Sequence, residues 1–371
     1  IRVSKLIKLW VAEGFLKPVR GKTLEEVAEE YLGDLISRNL IMISEKSSRG
    51  KIKTCGIHDM LRDLCLKKAQ EEKFFHVRDK DNIFPESIKY SRRLCIHPDI
   101  LHEEFKCYQS MGSLPAVRSI LIYGVPSISY SEGPKGLDES QINELVDGKL
   151  FPLLRVLDLE QHAGWDRFLF GEIKLVHSRY LAFPRHGKVS MPKTLPDFPR
   201  YLQTLIVDGV CVHLPEEIWK MTQLRHLLFR KCYLPSPTRS PIAGKNFVLG
   251  NLLTLSKVSV SSCTKEVVER VPNLNKLGIW SDDKISLGTL VNLPQLETLK
   301  IISLHQGRVT VPINFTFPPN IKRLTLQGCK IAWKHMTIVG SMPNLEVLKL
   351  LENDFQREPE WEPTEGRILA N

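Results

Sequence analysis

Two short runs carry residue types that handle phosphate. Gly21-Lys22-Thr23 has the ending of a phosphate-cradling loop, and Ile57-His58-Asp59 puts an imidazole beside an acid just ahead of an apolar helical run. The first run fails on spacing. The pattern G-x-x-x-x-G-K-[ST] needs a glycine where Leu16 stands, and the stretch follows a helical periodicity instead of a buried strand. Thr23 is better used as a helix N-cap paired with Glu26. The second run is chemically sound, because an imidazole at a helix N-terminus can donate to a phosphate oxygen while first-turn amides point the same way. Taken alone, the same residues are better read as simply beginning a helix.

Other catalytic or metal-binding sets do not assemble. The eight cysteines are scattered, with no C-x-x-C pair and no histidines at zinc spacing, which points to reduced, structural thiols. Cys232, Cys263 and Cys329 each close a repeat and read as packing residues. No nucleophile, base and orienting group recur at a suggestive spacing, so an enzyme is not expected. The net charge of +10 is spread along the chain without a polybasic block, which argues against nucleic acid. No apolar stretch approaches the length of a membrane span. The start, Ile1-Arg2-Val3, has no initiator methionine, and the end at Ile368-Leu369-Ala370-Asn371 has no polar cap. Both suggest a fragment whose last repeat exposes apolar surface.

The elements that would hold these residues can be read from periodicity. Val3, Ile7, Trp10 and Val11 mark a short helix stopped by Gly14. Thr23 and Glu26 cap a second helix whose apolar face runs from Leu24 to Leu40. The period then changes to two through Ile52 and Thr54, predicting a β-hairpin turned at residues 47–50. A third helix follows, with Asp59 as N-cap or first-turn residue and Leu61, Leu64, Cys65 and Lys68 along one side. Helix, helix, hairpin and helix make a winged-helix-like α+β module, expected over residues 1–80.

From about residue 85 the pattern L-x-x-L-x-L recurs, often closed by Cys or Asn, with units expected to start at 91, 117, 154, 178, 202, 224, 255, 274, 296, 321 and 345. The fold class is therefore α/β: a winged-helix module followed by an irregular leucine-rich-repeat solenoid over residues 81–371. Residues 130–149 read as an inserted loop, and Leu195-Pro196, Leu214-Pro215, Val271-Pro272-Asn273 and Met342-Pro343-Asn344 as turns. Side chains between the inward leucines face the concave surface. They select a basic row with apolar points: His226, Arg230, Trp280, Lys300, Arg323 and Lys349, with Trp280 expected to be exposed and first in importance.

Leu6-Ile7-Lys8-Leu9-Trp10-Val11-Ala12-Glu13-Gly14-Phe15, Tyr31 to Arg38 and Ile57 to Leu64 together resemble the last subdomain of the NB-ARC switch in plant nucleotide-binding leucine-rich-repeat disease-resistance proteins. The likeness is greatest to the coiled-coil class of the nightshade family, including late-blight-resistance-like proteins. It implies a cytoplasmic receptor, peripheral to the plasma membrane in some members, that acts in plant defence and the hypersensitive response. Its partners would be proteins: a pathogen effector, its own upstream switch domain and a helper receptor. It also implies that Ile57-His58-Asp59 stands where the family's Met-His-Asp triplet senses the phosphate of ADP. The departure at Ile57 touches only the tuning of that switch. The rest of the ADP/ATP site would lie upstream of Ile1, so this chain alone is expected to bind no nucleotide. Two other readings stand beside this one: a substrate adaptor of a ubiquitin ligase, and a winged-helix DNA-binding protein.

Overall fold

The computed structural model describes the chain except for residues 48–49, 79–85, 125–136, 162–166, 170–172, 184–187, 191–198, 209–210, 238–246, 282–287, 304–315, 332–333, 353 and 356–371. The Leu195-Pro196 turn and the chain end therefore lie outside the described residues. Two compact units are present. The first comprises Ile1–Arg167, Glu172–His186 and Asp197–Leu205, and the second Phe168–Gly171, Gly187–Pro196 and Ile206–Asn371.

The first unit opens with the winged helix. Helix α1 (Val3–Glu13) ends on Gly14, whose left-handed φ of 79° lets its N–H reach back to the carbonyls of Trp10 and Val11. Helix α2 (Leu24–Ser37) begins with the expected capping box, in which Thr23 and Glu26 satisfy each other's backbone amides. Strands β1 (Met42–Lys46) and β2 (Ile52–Gly56) form the antiparallel hairpin. Val3, Ile7, Val11, Leu16, Val27, Ala28, Leu32 and Cys55 make the module's core. Helix α3 (Asp59–Glu71) differs from expectation. Only Ala69 is buried, while Leu64 and Cys65 are exposed and Met60 is 79% exposed. Its apolar stripe is mostly uncovered, with only Leu61 half-buried.

Strand β3 (His76–Arg78) pairs in parallel with β4 (Arg93–Ile96), so the repeat sheet begins inside residues 1–80. Three residues, two of them basic or imidazole, are too few and too polar to show an alternating pattern. Arg78 takes an inward place there and is satisfied by Glu104 at 2.9 Å. Helix α4 (Leu101–Met111) and strand β5 (Ser119–Ile122) follow. Next comes helix α5 (Glu139–Val146), which corrects the loop expected over residues 130–149. Asp138 and Gln141 form a second capping box in that polar stretch, while Ile142, Leu145 and Val146 are buried. Strands β6 (Val156–Asp158), β8 (Tyr180–Phe183) and β10 (Thr204–Val207) continue the parallel order. A small pair of β7 (Arg167–Leu169) and β9 (Lys188–Ser190) stands apart from it.

In the second unit β11 (Val212–His213) lies on β12 (His226–Tyr233), and the parallel order runs on through β13 (Thr254–Ser259), β14 (Lys276–Ser281), β15 (Thr298–Ser303), β16 (Arg323–Gln327) and β18 (Val347–Leu351). Strands β17 (Lys330–Ile331) and β19 (Asp354–Phe355) make a further parallel pair. Helices α6 (Lys265–Val268) and α7 (Lys334–Gly340) are short connections. Inward residues are in register, with Leu255 beside Leu277, Leu277 beside Leu299, and Leu299 beside Leu324. That pairing moves one repeat start from Leu255 back to Leu252. A bulge at Lys257, held at φ 53°, brings Val258 level with Ile279, and an inserted residue is invisible to a fixed-spacing pattern. The turn asparagines stitch successive repeats: Asn251, Asn273, Asn320 and Asn344 each donate a side-chain N–H to a carbonyl of the preceding repeat, at 2.7 to 3.0 Å.

Candidate functional site

Within the first unit, helix α1 lies on the open face of the early repeats, the face opposite their leucine core. Register aligns Arg93, Ser119, Val156 and Tyr180 in one row and Cys95, Leu121, Asp158 and Ala182 in the next. In an uncovered repeat these positions meet solvent, but here Ser119, Val156, Asp158, Tyr180 and Ala182 are all buried.

Charge fixes the helix there at both ends. At the carboxy end, Arg93 donates from Nε to Glu13 at 3.0 Å and approaches it from Nη2 at 2.9 Å, and the Ser119 hydroxyl donates to the same carboxylate. The Arg93 guanidinium also sits over the Phe74 ring at 4.3 Å and the Phe15 ring at 5.0 Å. One side chain thus ties the end of α1, the segment after α3 and the repeat strand β4 together. Gly14 is placed against Arg179, whose Nη1 would lie 3.4 Å from any added Cβ. Near the amino end, Lys5 meets Asp158 at 2.6 Å and Glu160 at 2.8 Å. Burial pushes the Asp158 carboxyl above its usual range even with Lys5 beside it, so its charge depends on that partner. Burial pulls Lys5 down, yet Asp158 and Glu160 outweigh it and hold the ammonium above its ordinary value.

Sequence reading missed Lys5, Glu13, Arg93, Ser119 and Asp158. One signal was available. Helix α1 carries Leu6, Leu9 and Ala12 outside its main stripe, and a helix apolar on more than one face is covered on more than one face. Ala12 is fully buried.

The phosphate candidate is exposed. His58, and not Asp59, is the N-cap of α3: its Nδ1 accepts the Met60 N–H at 3.3 Å. In the neutral ring that leaves the proton on Nε2, a donor free of this cap. Asp59 is the first helical residue and pairs with Arg62 at 3.3 Å. Beside them Ile57, Met60 and Leu64 expose apolar surface.

The six residues expected on the open face of the later repeats divide. Arg230 and Lys349 are exposed, Lys300 and Arg323 half-buried. His226 and Trp280 are each only 5% exposed, which corrects the expectation for both. Trp280 is covered edge-on by Tyr233 at 5.2 Å and by the Lys231 ammonium at 5.3 Å, while Tyr233 itself stacks on His213. A flexible lysine and a neighbouring aromatic can cover an indole that a strand pattern marks as outward.

The cysteines behave as packing groups. Burial pushes Cys95 and Cys263 up to about 12 and Cys329 up to about 11, and raises Cys232 further. Alkylation with iodoacetamide at mildly alkaline pH is expected to modify exposed Cys65 while these four react roughly 100-fold more slowly until denaturant is added. Peptide mass spectrometry over time reads the rates. Fast labelling of Cys263 in the native chain would contradict the buried assignment.

A family model for the winged-helix domain of disease resistance proteins matches residues 1–65, and one for a leucine-rich repeat region matches residues 137–358. Neither is a catalytic domain type. Putative late blight resistance protein homolog R1B-14 of Solanum demissum is 32% identical over 99% of this chain and 27% of its own length. Late blight resistance protein R1-A of the same species is 31% identical over 99% of this chain and 29% of its own length. This chain thus spans under a third of these relatives. A leucine-rich-repeat protein of Leptospira interrogans has a TM-score of 0.41 at 19% identity, covering 78% of this chain and 88% of its own. No helix among the described residues is long and apolar enough to cross a membrane. The leucine-rich repeats fill most of the chain behind a stretch that matches the winged-helix domain of disease resistance proteins, and the chain belongs to the leucine-rich-repeat family.

Proposed function

We propose that this chain is the sensing and switching end of an intracellular plant immune receptor. Its repeats receive a protein signal, and its winged helix passes that signal to the nucleotide state of an upstream switch domain. The observation that carries the reading is the Arg93 junction, where one half-buried guanidinium holds the winged helix to the repeats through Glu13, Phe15 and Phe74. A partner that competes for the repeats or bends them would load this contact first, which is the form a two-state coupling requires.

His58 supplies the other half. Its Nε2–H at the head of α3 would meet a phosphate oxygen of ADP held by the upstream domain, and the uncovered apolar surface of Ile57, Met60 and Leu64 would pack against that domain. Bound nucleotide would supply the anion that keeps the module closed. Asp59 steadies the site through Arg62 and the first turn of α3. Replacing Asp59 with Val in the full-length receptor is expected to produce cell death without a pathogen when expressed in leaves. Resting behaviour at normal protein level would remove His58 and Asp59 from the switch.

A further inference from the structure

The open face of the second unit has a charge pattern that points to a particular kind of partner. Parallel register places Lys276, Thr298, Arg323 and Val347 in one row, and Gly278, Lys300, Thr325 and Lys349 in the next. Each of the strands β14, β15, β16 and β18 therefore presents one cation, alternating between two rows. Arg230 adds an exposed cation on β12. Neither row contains an acid. Glu297 lies just outside them, where it is engaged by Lys322 at 2.6 Å and also acts on Lys276, and Glu346 occupies the equivalent place two strands on.

We propose that this face receives an extended acidic segment of a protein partner, lying across the strands and offering carboxylates to Lys276, Lys300, Arg323 and Lys349. Neighbouring strands are about 4.8 Å apart, so cations of one row recur about every 10 Å. That is the reach of about three residues of extended chain. Between the cations stand Thr298, Thr325 and Gly278, small enough to let a backbone approach. At Gly278 a Cβ would come within 3.0 Å of the Lys257 backbone nitrogen, so the bulged neighbour excludes any side chain at the position beside Lys300. A single-stranded nucleic acid fits less well, because it needs aromatic rings open for base stacking. The one aromatic on these strands' outward positions, Trp280, is already covered.

The inference rests on the reading that the repeats receive a protein, and it is tested without the nucleotide switch. Fluorescence anisotropy at low salt would follow the 371-residue chain binding a labelled peptide of four Glu-Ser-Gly repeats. A second peptide of the same composition has its glutamates in one block, and a third probe is oligothymidylate. The spaced peptide is expected to bind most tightly and to weaken as salt rises. The double variant K300E/K349E should lose about tenfold or more in affinity. Reversing the exposed Lys67 of the first unit to Glu should change nothing, and circular dichroism confirms that each variant is folded. Unchanged binding by K300E/K349E overturns the proposal. Equal binding of the block peptide, or equally tight binding of oligothymidylate, overturns it as well, since either shows a response to net charge alone. These outcomes leave the Asp59→Val result untouched, so the two readings fail separately.

Discussion

Exchanging Glu13 for Lys is expected to release the winged helix from the repeats and, in the full-length receptor, to cause cell death in the absence of a pathogen. Glu13's side chain is 7% exposed and Arg93's 16%, so the reversal sets two half-buried cations against each other and leaves Ser119 without its acceptor. Breaking one partner of a fully buried, hydrogen-bonded ion pair costs about 3–5 kcal/mol, and this half-buried pair should cost somewhat less. The compensating double variant E13K/R93E restores opposite charge but gives up the guanidinium stacked over Phe74 and Phe15, worth about 0.5–2 kcal/mol. Rescue should therefore be substantial and incomplete. Thermal unfolding of the 371-residue chain, its two single variants and the double variant measures the coupling. If the single effects add to the double within about 0.5 kcal/mol, the pair is not the clasp described here.

Much of the architecture was legible because it is periodic. The capping box at Thr23 and Glu26, the left-handed stop at Gly14 and the stacked leucines each follow from a local rule that tertiary contacts reinforce. The proline turns at Val271-Pro272-Asn273 and Met342-Pro343-Asn344 were readable too, whereas Pro215 starts a short 3-10 helix, Glu216–Lys220. The ladder that Asn273 and Asn344 make with the preceding repeat was not, because its acceptors are backbone carbonyls that carry no sequence signal. Failures came where an element had a second set of neighbours or an irregular backbone. The bulge at Lys257 hid the true start of its repeat. The polar stretch around Asp138 reads as a turn until its capping box is counted, and then the same acids and amides start α5.

The candidate site failed to show itself for a different reason. Arg93 and Glu13 are eighty positions apart in sequence and unremarkable alone; only the docking of α1 onto β4 and β5 makes them partners. Pattern reading put the business of the repeats on the later strands, where outward lysines are easy to count. The early strands carry fewer cations and a buried Asp158, which a charge count takes for an ordinary acid. The open faces of the two units serve different purposes. In the first unit the face is closed by the protein's own helix, and in the second β14, β15, β16 and β18 each present a cation in rows that hold no acid.

Asp158 makes that closure sensitive to its one counter-charge. Replacing Lys5 with Ala should cost about 3–5 kcal/mol near neutral pH, because a carboxylate only 2% exposed then stands unpaired except for the Glu160 backbone N–H at 3.2 Å. The loss has a definite pH dependence. Burial already raises the Asp158 carboxyl, and without Lys5 nothing of opposite charge opposes that rise. A carboxyl with a raised folded pKa supports the fold below its unfolded value and stops doing so as pH climbs through the folded one. The variant should therefore recover stability in mild acid, where Asp158 is protonated, and be weakest above neutrality. The parent shows the same trend more weakly, because Lys5 opposes the rise of the Asp158 carboxyl, and the contribution of Lys5, itself raised in the folded state, fades only in strong alkali. Thermal unfolding of the two proteins from pH 4 to pH 9 gives the comparison, with Asp158→Asn on the Lys5→Ala background as the check. Asparagine removes the charge while keeping the shape, and it should flatten the pH dependence and restore part of the loss. A Lys5→Ala variant whose deficit is the same at every pH would mean that Asp158 is not left charged and unpaired, and that α1 is held to the repeats by packing and by Arg93 alone.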